Sequence, residues 1–116
     1  MRAALLLVIA VACSTAACTS EEDRGRQLYA ERGCAVCHGA DGRGDGPAAK
    51  RLDTPPRDLT DARLYRQGAS QPEIAGSIRS GAGAMPPFRD LTQSEAMDIA
   101  AWLVSRQKSL TSGGSS

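Results

Sequence analysis

The sequence predicts an all-α domain, with short helices joined by long irregular loops. Three observations carry that prediction. Apolar residues recur at helical spacing in separate stretches, and no stretch alternates apolar and polar residues as a half-buried strand does. Helix start and stop signals bracket those stretches. Between them lie glycine- and proline-rich segments without any period, the longest at residues 39–60. At 116 residues the chain has room for one small domain.

The first residues stand apart from that domain. Met1 and Arg2 give a brief positive start, residues 3–12 (AALLLVIAVA) are unbroken apolar, and small residues follow up to Cys18. This is the order of a secretory signal, expected over residues 1–17. The apolar run is too short for a spanning helix, which needs ~20 residues. Thr15-Ala16-Ala17-Cys18 resembles a bacterial lipobox, in which Cys18 is acylated and becomes the N-terminus; ordinary cleavage near Ala17 is the alternative. Export leaves Cys34 and Cys37 as the cysteines of the domain, in a compartment that favours disulfides.

Residues 21–32 read as the first helix. Glu21, Glu22 and Asp23 lead it, which suits the positive end of the helix dipole. Gly25 and Tyr29 share one face, and Gly33 ends the run just before Cys34. A short helix is expected at 60–67, capped by Thr60 or Asp61, and another at 72–80, with Ile74 and Ile78 one turn apart and Gly81 as its stop. The last helix has the clearest signature. Thr92-Gln93-Ser94-Glu95 is a capping box, and Ala96, Ile99, Ala100 and Leu103 then form an apolar stripe with Trp102 at its margin. The stripe fades near Gln107, so the domain is expected over residues 22–108 and a flexible, low-complexity tail over 109–116.

Composition narrows the function classes. Lys and Arg number 14 against 13 Asp and Glu, for a net charge of +1. A nucleic-acid binder more often shows a basic excess, so none is expected as a partner. Aromatic residues make up only 3% of the chain, so the domain's own core is thin and something else is expected to fill it.

The stretch Cys34-Ala35-Val36-Cys37-His38 holds both domain cysteines and the only histidine. A structural zinc site needs four ligands, and these residues supply three at most. A thioredoxin-like switch needs a βαβ context that the chain lacks. A calcium loop starting at Asp41 has Arg43 at its third position and Leu52 where a bidentate Glu belongs. Gly42, Gly44 and Gly46 imitate a dinucleotide loop, but no strand precedes them.

Haem attachment fits. Cys-x-x-Cys-His is the c-type signature. Two thiols three residues apart on a helical turn can each add to a vinyl group of one porphyrin, and His38, next in line, serves the iron as proximal ligand. Two methionines compete for the other axial position. Met97 lies within the last helix and reads as core packing. Met85 precedes Pro86-Pro87, which pushes it out of helical geometry and presents its thioether from an extended loop. Met85 is therefore the expected distal ligand.

In this order the residues resemble a class I cytochrome c of the small bacterial monohaem type, over residues 22–108. Gly25 and Tyr29 match the glycine and aromatic of an N-terminal helix that crosses the C-terminal one. The Cys34–His38 motif followed by Gly39, the segment Gly46-Pro47-Ala48, the loop Met85-Pro86-Pro87 and Trp102 complete the match. The resemblance implies helices and loops wrapped around one covalently attached haem c, bound by Cys34 and Cys37, with His38 and Met85 on the iron. It further implies that the Pro47 carbonyl accepts the Nδ1–H of His38. Gly33 departs from the pattern as an extra residue before Cys34, and the scarcity of aromatics leaves the partners of the haem propionates unassigned.

The expected function is single-electron transfer between exported redox proteins. The protein is expected to be a carrier rather than an enzyme, a monomer or weakly associated, periplasmic, and held to a membrane only through any N-terminal lipid. The alternatives are a haem-bearing subunit of a dehydrogenase or reductase complex and a haem gas sensor.

Overall fold

The computed structural model describes the backbone of residues 19–113 and the side chains of residues 19–107. The expected signal segment and the lipobox cysteine lie outside the described residues. Among the described residues four α-helices follow in chain order: α1 (Glu21–Glu31), α2 (Cys34–His38), α3 (Gln71–Ser80) and α4 (Gln93–Gly113). Single 3-10 turns at Ala49–Arg51 and Ala62–Leu64 punctuate the long loop between α2 and α3. Among the described residues there is no strand, only an isolated antiparallel bridge between Ala82 and Met85.

The helix boundaries follow from local chemistry. The Ser20 side chain accepts from the Asp23 amide at 3.1 Å and starts α1. Gly33 ends the first helical segment at φ +78°, a left-handed backbone that glycine adopts without a Cβ clash. At α3 the Glu73 carboxylate accepts from both the amide and the hydroxyl of Ser70, at 3.1 and 2.7 Å. The expected box at α4 is present: the Glu95 amide donates to Thr92 Oγ1 at 3.1 Å and the Thr92 amide to Glu95 Oε1 at 3.0 Å. Thr92→Ala removes one half of this box and should cost about 1 kcal/mol. Chemical denaturation of the haem-loaded protein would read that loss.

Two expectations change. The helix foreseen at 60–67 is a single 3-10 turn, where Asp61 accepts from the Arg63 amide at 3.0 Å. Asp61 and the Arg63 guanidinium also bond to each other at 2.7 Å, a local pairing that competes with helix extension. α4 does not stop near Gln107; its helical backbone continues to Gly113. Once a helix is nucleated, each further residue gains a hydrogen bond, so it can outrun its apolar stripe.

α4 is the centre of the packing, with α1 and α3 both laid against it. The buried cluster joins Tyr29 of α1, Ile74, Ala75 and Ile78 of α3, Leu91, and Ala96, Ile99, Ala100, Trp102 and Leu103 of α4. α1 crosses α4 at Gly25. A Cβ there would run into the backbone carbonyl of Asp98, with the Ile99 amide 2.9 Å away. One turn further along α1, the Tyr29 ring lies 4.7 Å from the Trp102 ring, tilted by 51°. Such tilted pairs are worth about 1 kcal/mol beyond area burial. At the other end of the contact, Arg24 and Asp98 pair at 3.2 Å.

Gly25→Ala should therefore destabilise the protein by about 3 kcal/mol, because the obstacle is helix backbone that cannot turn aside. Thermal unfolding of the haem-loaded variant would show it. An unchanged midpoint would mean that the helices slide apart at little cost.

Candidate haem site

α2 is barely more than one turn long, and it sets the two thiols of Cys34 and Cys37 one turn apart. Both cysteines are free and partly buried. Burial pushes the Cys34 thiol above its ordinary pKa, against smaller opposing effects of a backbone hydrogen bond and of Arg32.

The carbonyls at the end of α2 do not continue into helix. They accept from the loop that follows. The Ala48 amide donates to Val36 O at 2.9 Å, the Gly46 amide to Cys37 O at 3.0 Å and the Gly44 amide to His38 O at 2.7 Å. The buried Tyr29 hydroxyl donates to Gly39 O at 2.6 Å, tying α1 to the end of the motif. The glycines after His38 thus form a tight wrap around α2, not a calcium or nucleotide loop. Among the described residues, no three or more His, Cys, Asp or Glu are grouped to hold a bare metal ion.

His38 is half-buried, and its Nδ1 lies 3.2 Å from the carbonyl oxygen of Arg57. A carbonyl can only accept, so Nδ1 carries the hydrogen. Nε2 is left with its lone pair free for a metal. Burial lowers the His38 pKa below its ordinary value, with the Arg57 bond opposing. Burial thus favours the neutral ring that ligation requires, and the Arg57 bond selects the tautomer with Nε2 open.

The acceptor is not the carbonyl of Pro47, as the resemblance implied. Pro47 is exposed, and its neighbours Gly46 and Ala48 are committed to Cys37 and Val36. The imidazole faces the later Pro55-Pro56-Arg57 segment instead. Sequence reasoning missed this because any residue type offers the same main-chain carbonyl.

Met85 is half-buried and packs against the core cluster, as do Cys34, Leu59, Tyr65 and Phe88. It closes a tight turn: the amides of Ala82 and Met85 donate to each other's carbonyls at 3.2 and 3.0 Å. The loop around it is anchored to α3. The Phe88 amide donates to Ile78 O at 3.0 Å, and Arg79 Nε donates to Leu91 O at 3.1 Å. The Arg79 side chain is a second residue that the sequence did not single out. Met97 also packs against the cluster, but from within α4, and its carbonyl accepts from Gln71 Nε2 at 3.0 Å.

The donor set fits haem c: two free thiols one turn apart, and beside them an imidazole with one nitrogen held and the other open. Comparison with known proteins agrees. Residues 20–103 match the family model described as cytochrome C oxidase, cbb3-type, subunit III. Cytochrome c-551 of Azotobacter vinelandii is 26% identical over 91 residues, covering 73% of this chain and all of that protein. Among solved structures, a chain of the reducing HAO-like protein complex of Kuenenia stuttgartiensis superposes with a TM-score of 0.68 at 27% identity. That match covers 74% of this chain, which spans less than half (43%) of its neighbour. The motif, the helical frame and these likenesses converge: the chain belongs to the family described as cytochrome C oxidase, cbb3-type, subunit III, and is a small monohaem class I cytochrome c, an electron carrier with covalently bound haem c.

Proposed function

We propose that this cytochrome carries single electrons between exported redox partners, with His38 and Met85 as the two axial ligands of its haem. The observation that carries the reading is the state of His38, whose Nδ1 is committed to a carbonyl while Nε2 stays open. Haem bound through Cys34 and Cys37 supplies a one-electron iron couple. Around it the chain's own residues need to move little. α2 holds the thiols and the imidazole on one rigid turn, and Tyr29 fastens that turn to α1. Met85 offers a thioether from a loop pinned to α3 at Ile78 and Arg79. His/Met ligation raises the potential relative to other axial sets.

Residues 1–17 are proposed as the export signal, with Cys18 as the site of any lipid anchor. Among the described residues no helix is long and apolar enough to cross a membrane.

The test is optical and redox titration of the haem-matured protein, followed by addition of carbon monoxide. A low-spin spectrum and slow or absent carbon monoxide binding are expected. Rapid binding by the intact reduced protein would overturn the carrier reading in favour of a gas sensor. A second reading, a haem subunit within an oxidoreductase complex, draws on the oxidase-subunit description of the matched family and on the complex that holds the structural neighbour. Purification from native membranes separates the two: a stable stoichiometric partner favours the subunit.

A further inference from the structure

We propose that a lipid on Cys18 holds this domain on a one-residue tether, with the N-terminal end of α1 at the membrane and the haem motif at the far end. The inference rests on Cys18 as the lipid site and goes beyond it by fixing how the anchored domain stands.

The fold begins directly after that cysteine. Arg24 Nη1 donates to Thr19 O at 2.6 Å, and Arg24 Nε pairs with Asp98 Oδ2 of α4 at 3.2 Å. One guanidinium therefore ties the first described residue to the central helix. Ser20 is held as well. Its side chain accepts from the Asp23 amide at 3.1 Å and its carbonyl from the Arg24 amide at 3.0 Å. A single peptide link, about 3.8 Å between Cα atoms, separates the lipid site from this clamped main chain.

The clamp also decides which end of the domain meets the lipid. α1 has 11 residues, so an upright α1 lifts its far end about 15 Å above its first turn. Cys34–His38 follow at that far end, where the Tyr29 hydroxyl bonds to Gly39 O. Leaning over is opposed. Glu21, Glu22 and Asp23 are all exposed, and successive residues point roughly 100° apart around a helix. A lean in most directions drives one of these carboxylates against lipid phosphates, whose like charge repels it. Nor does apolar surface draw α1 into the bilayer. Among the described residues the exposed large apolar side chains are Val36, Leu52 and Leu64, all outside α1.

The test uses the full chain, exported, matured with haem and reconstituted into vesicles of phosphatidylethanolamine and phosphatidylglycerol with a headgroup fluorophore. Energy transfer from the fluorophore to the haem reads the distribution of haem heights. The intact protein should show one narrow population with the haem held off the lipid. A Gly/Ser insert of eight residues between Cys18 and Thr19 has an r.m.s. reach of about 15 Å and should add a second population close to the headgroups. Arg24→Ala should broaden the distribution part of the way; if it fails to mature, the insert decides alone. Glu21→Gln, Glu22→Gln and Asp23→Asn together should shift the haem towards the lipid. A distribution in the intact protein as broad as with the insert, or one centred at the headgroups, overturns the proposal, as does an unchanged one in Arg24→Ala. Failure of the anchor itself looks different: mass spectrometry of the mature N-terminus would show no acyl chains, and the protein would not sediment with the vesicles.

Discussion

Without haem the chain is expected to lose most of its helical structure. The described core is small: its buried cluster has ten residues, of which Ala75, Ala96 and Ala100 contribute little apolar surface. Its only aromatic members are Tyr29 and Trp102 at the α1–α4 crossing; the rest of its bulk is Ile74, Ile78, Leu91, Ile99 and Leu103. Burying ~500 Å² of porphyrin at ~25 cal/mol per Å² contributes on the order of 12 kcal/mol as an upper bound. The whole stability of a small domain is about 5–15 kcal/mol, so the cofactor's share is comparable to the entire margin. α2 adds to the argument. It is five residues long, too short to stand without tertiary support. The measurement is far-UV circular dichroism of the full chain with Cys34→Ser and Cys37→Ser, expressed without haem. A weak helical signal and no cooperative melt are expected; native-like dichroism with a sharp transition would show that the protein core suffices.

The frame of this fold was legible because its signals are local. Acidic residues at 21–23, Gly33 and the Thr92–Glu95 box each mark a boundary through side-chain chemistry next to that boundary. Local spacing gave only that Gly25 and Tyr29 share a face; the crossing was implied by the family resemblance, and the structure puts the first against α4 backbone and the second against Trp102. The Ser70–Glu73 cap was present in the sequence as the same pattern and could have been read there.

What escaped was set by distant main chain. Nothing in the residue type of Arg57 announces that its carbonyl faces His38. The available hint was Gly44, a glycine in a loop already crowded with them, together with Pro55-Pro56. The end of α4 escaped for another reason. Helical backbone from 108 to 113 needs no apolar stripe once the preceding turns exist, so hydrophobic periodicity underestimates its length.

Met85→Ala and Met97→Ala should separate the distal ligand from an ordinary core methionine. Both side chains are half-buried against the same cluster, so burial alone does not distinguish them. Their backbones do. Met97 lies inside α4, where each residue's position is fixed by the helix, and its side chain is one more packing element. Its removal should cost about 2 kcal/mol, the lower end for Met→Ala because the site is not fully buried. That lowers the melting temperature by about 10 °C in a domain of this size and leaves the visible spectrum unchanged. Met85 lies in a turn tied to α3 through Phe88–Ile78 and Leu91–Arg79. Its removal should open one face of the iron. The reduced variant should then bind carbon monoxide rapidly, and its potential should fall because a weak thioether donor that favours Fe(II) is gone. Arg79→Ala provides an intermediate case, since the turn keeps Met85 but loses the bond to Leu91 O. Partial carbon monoxide access with an otherwise normal spectrum is expected there. If Met97→Ala opens the iron while Met85→Ala only lowers the melting temperature, α4 supplies the ligand and the pinned loop serves only to cover the core.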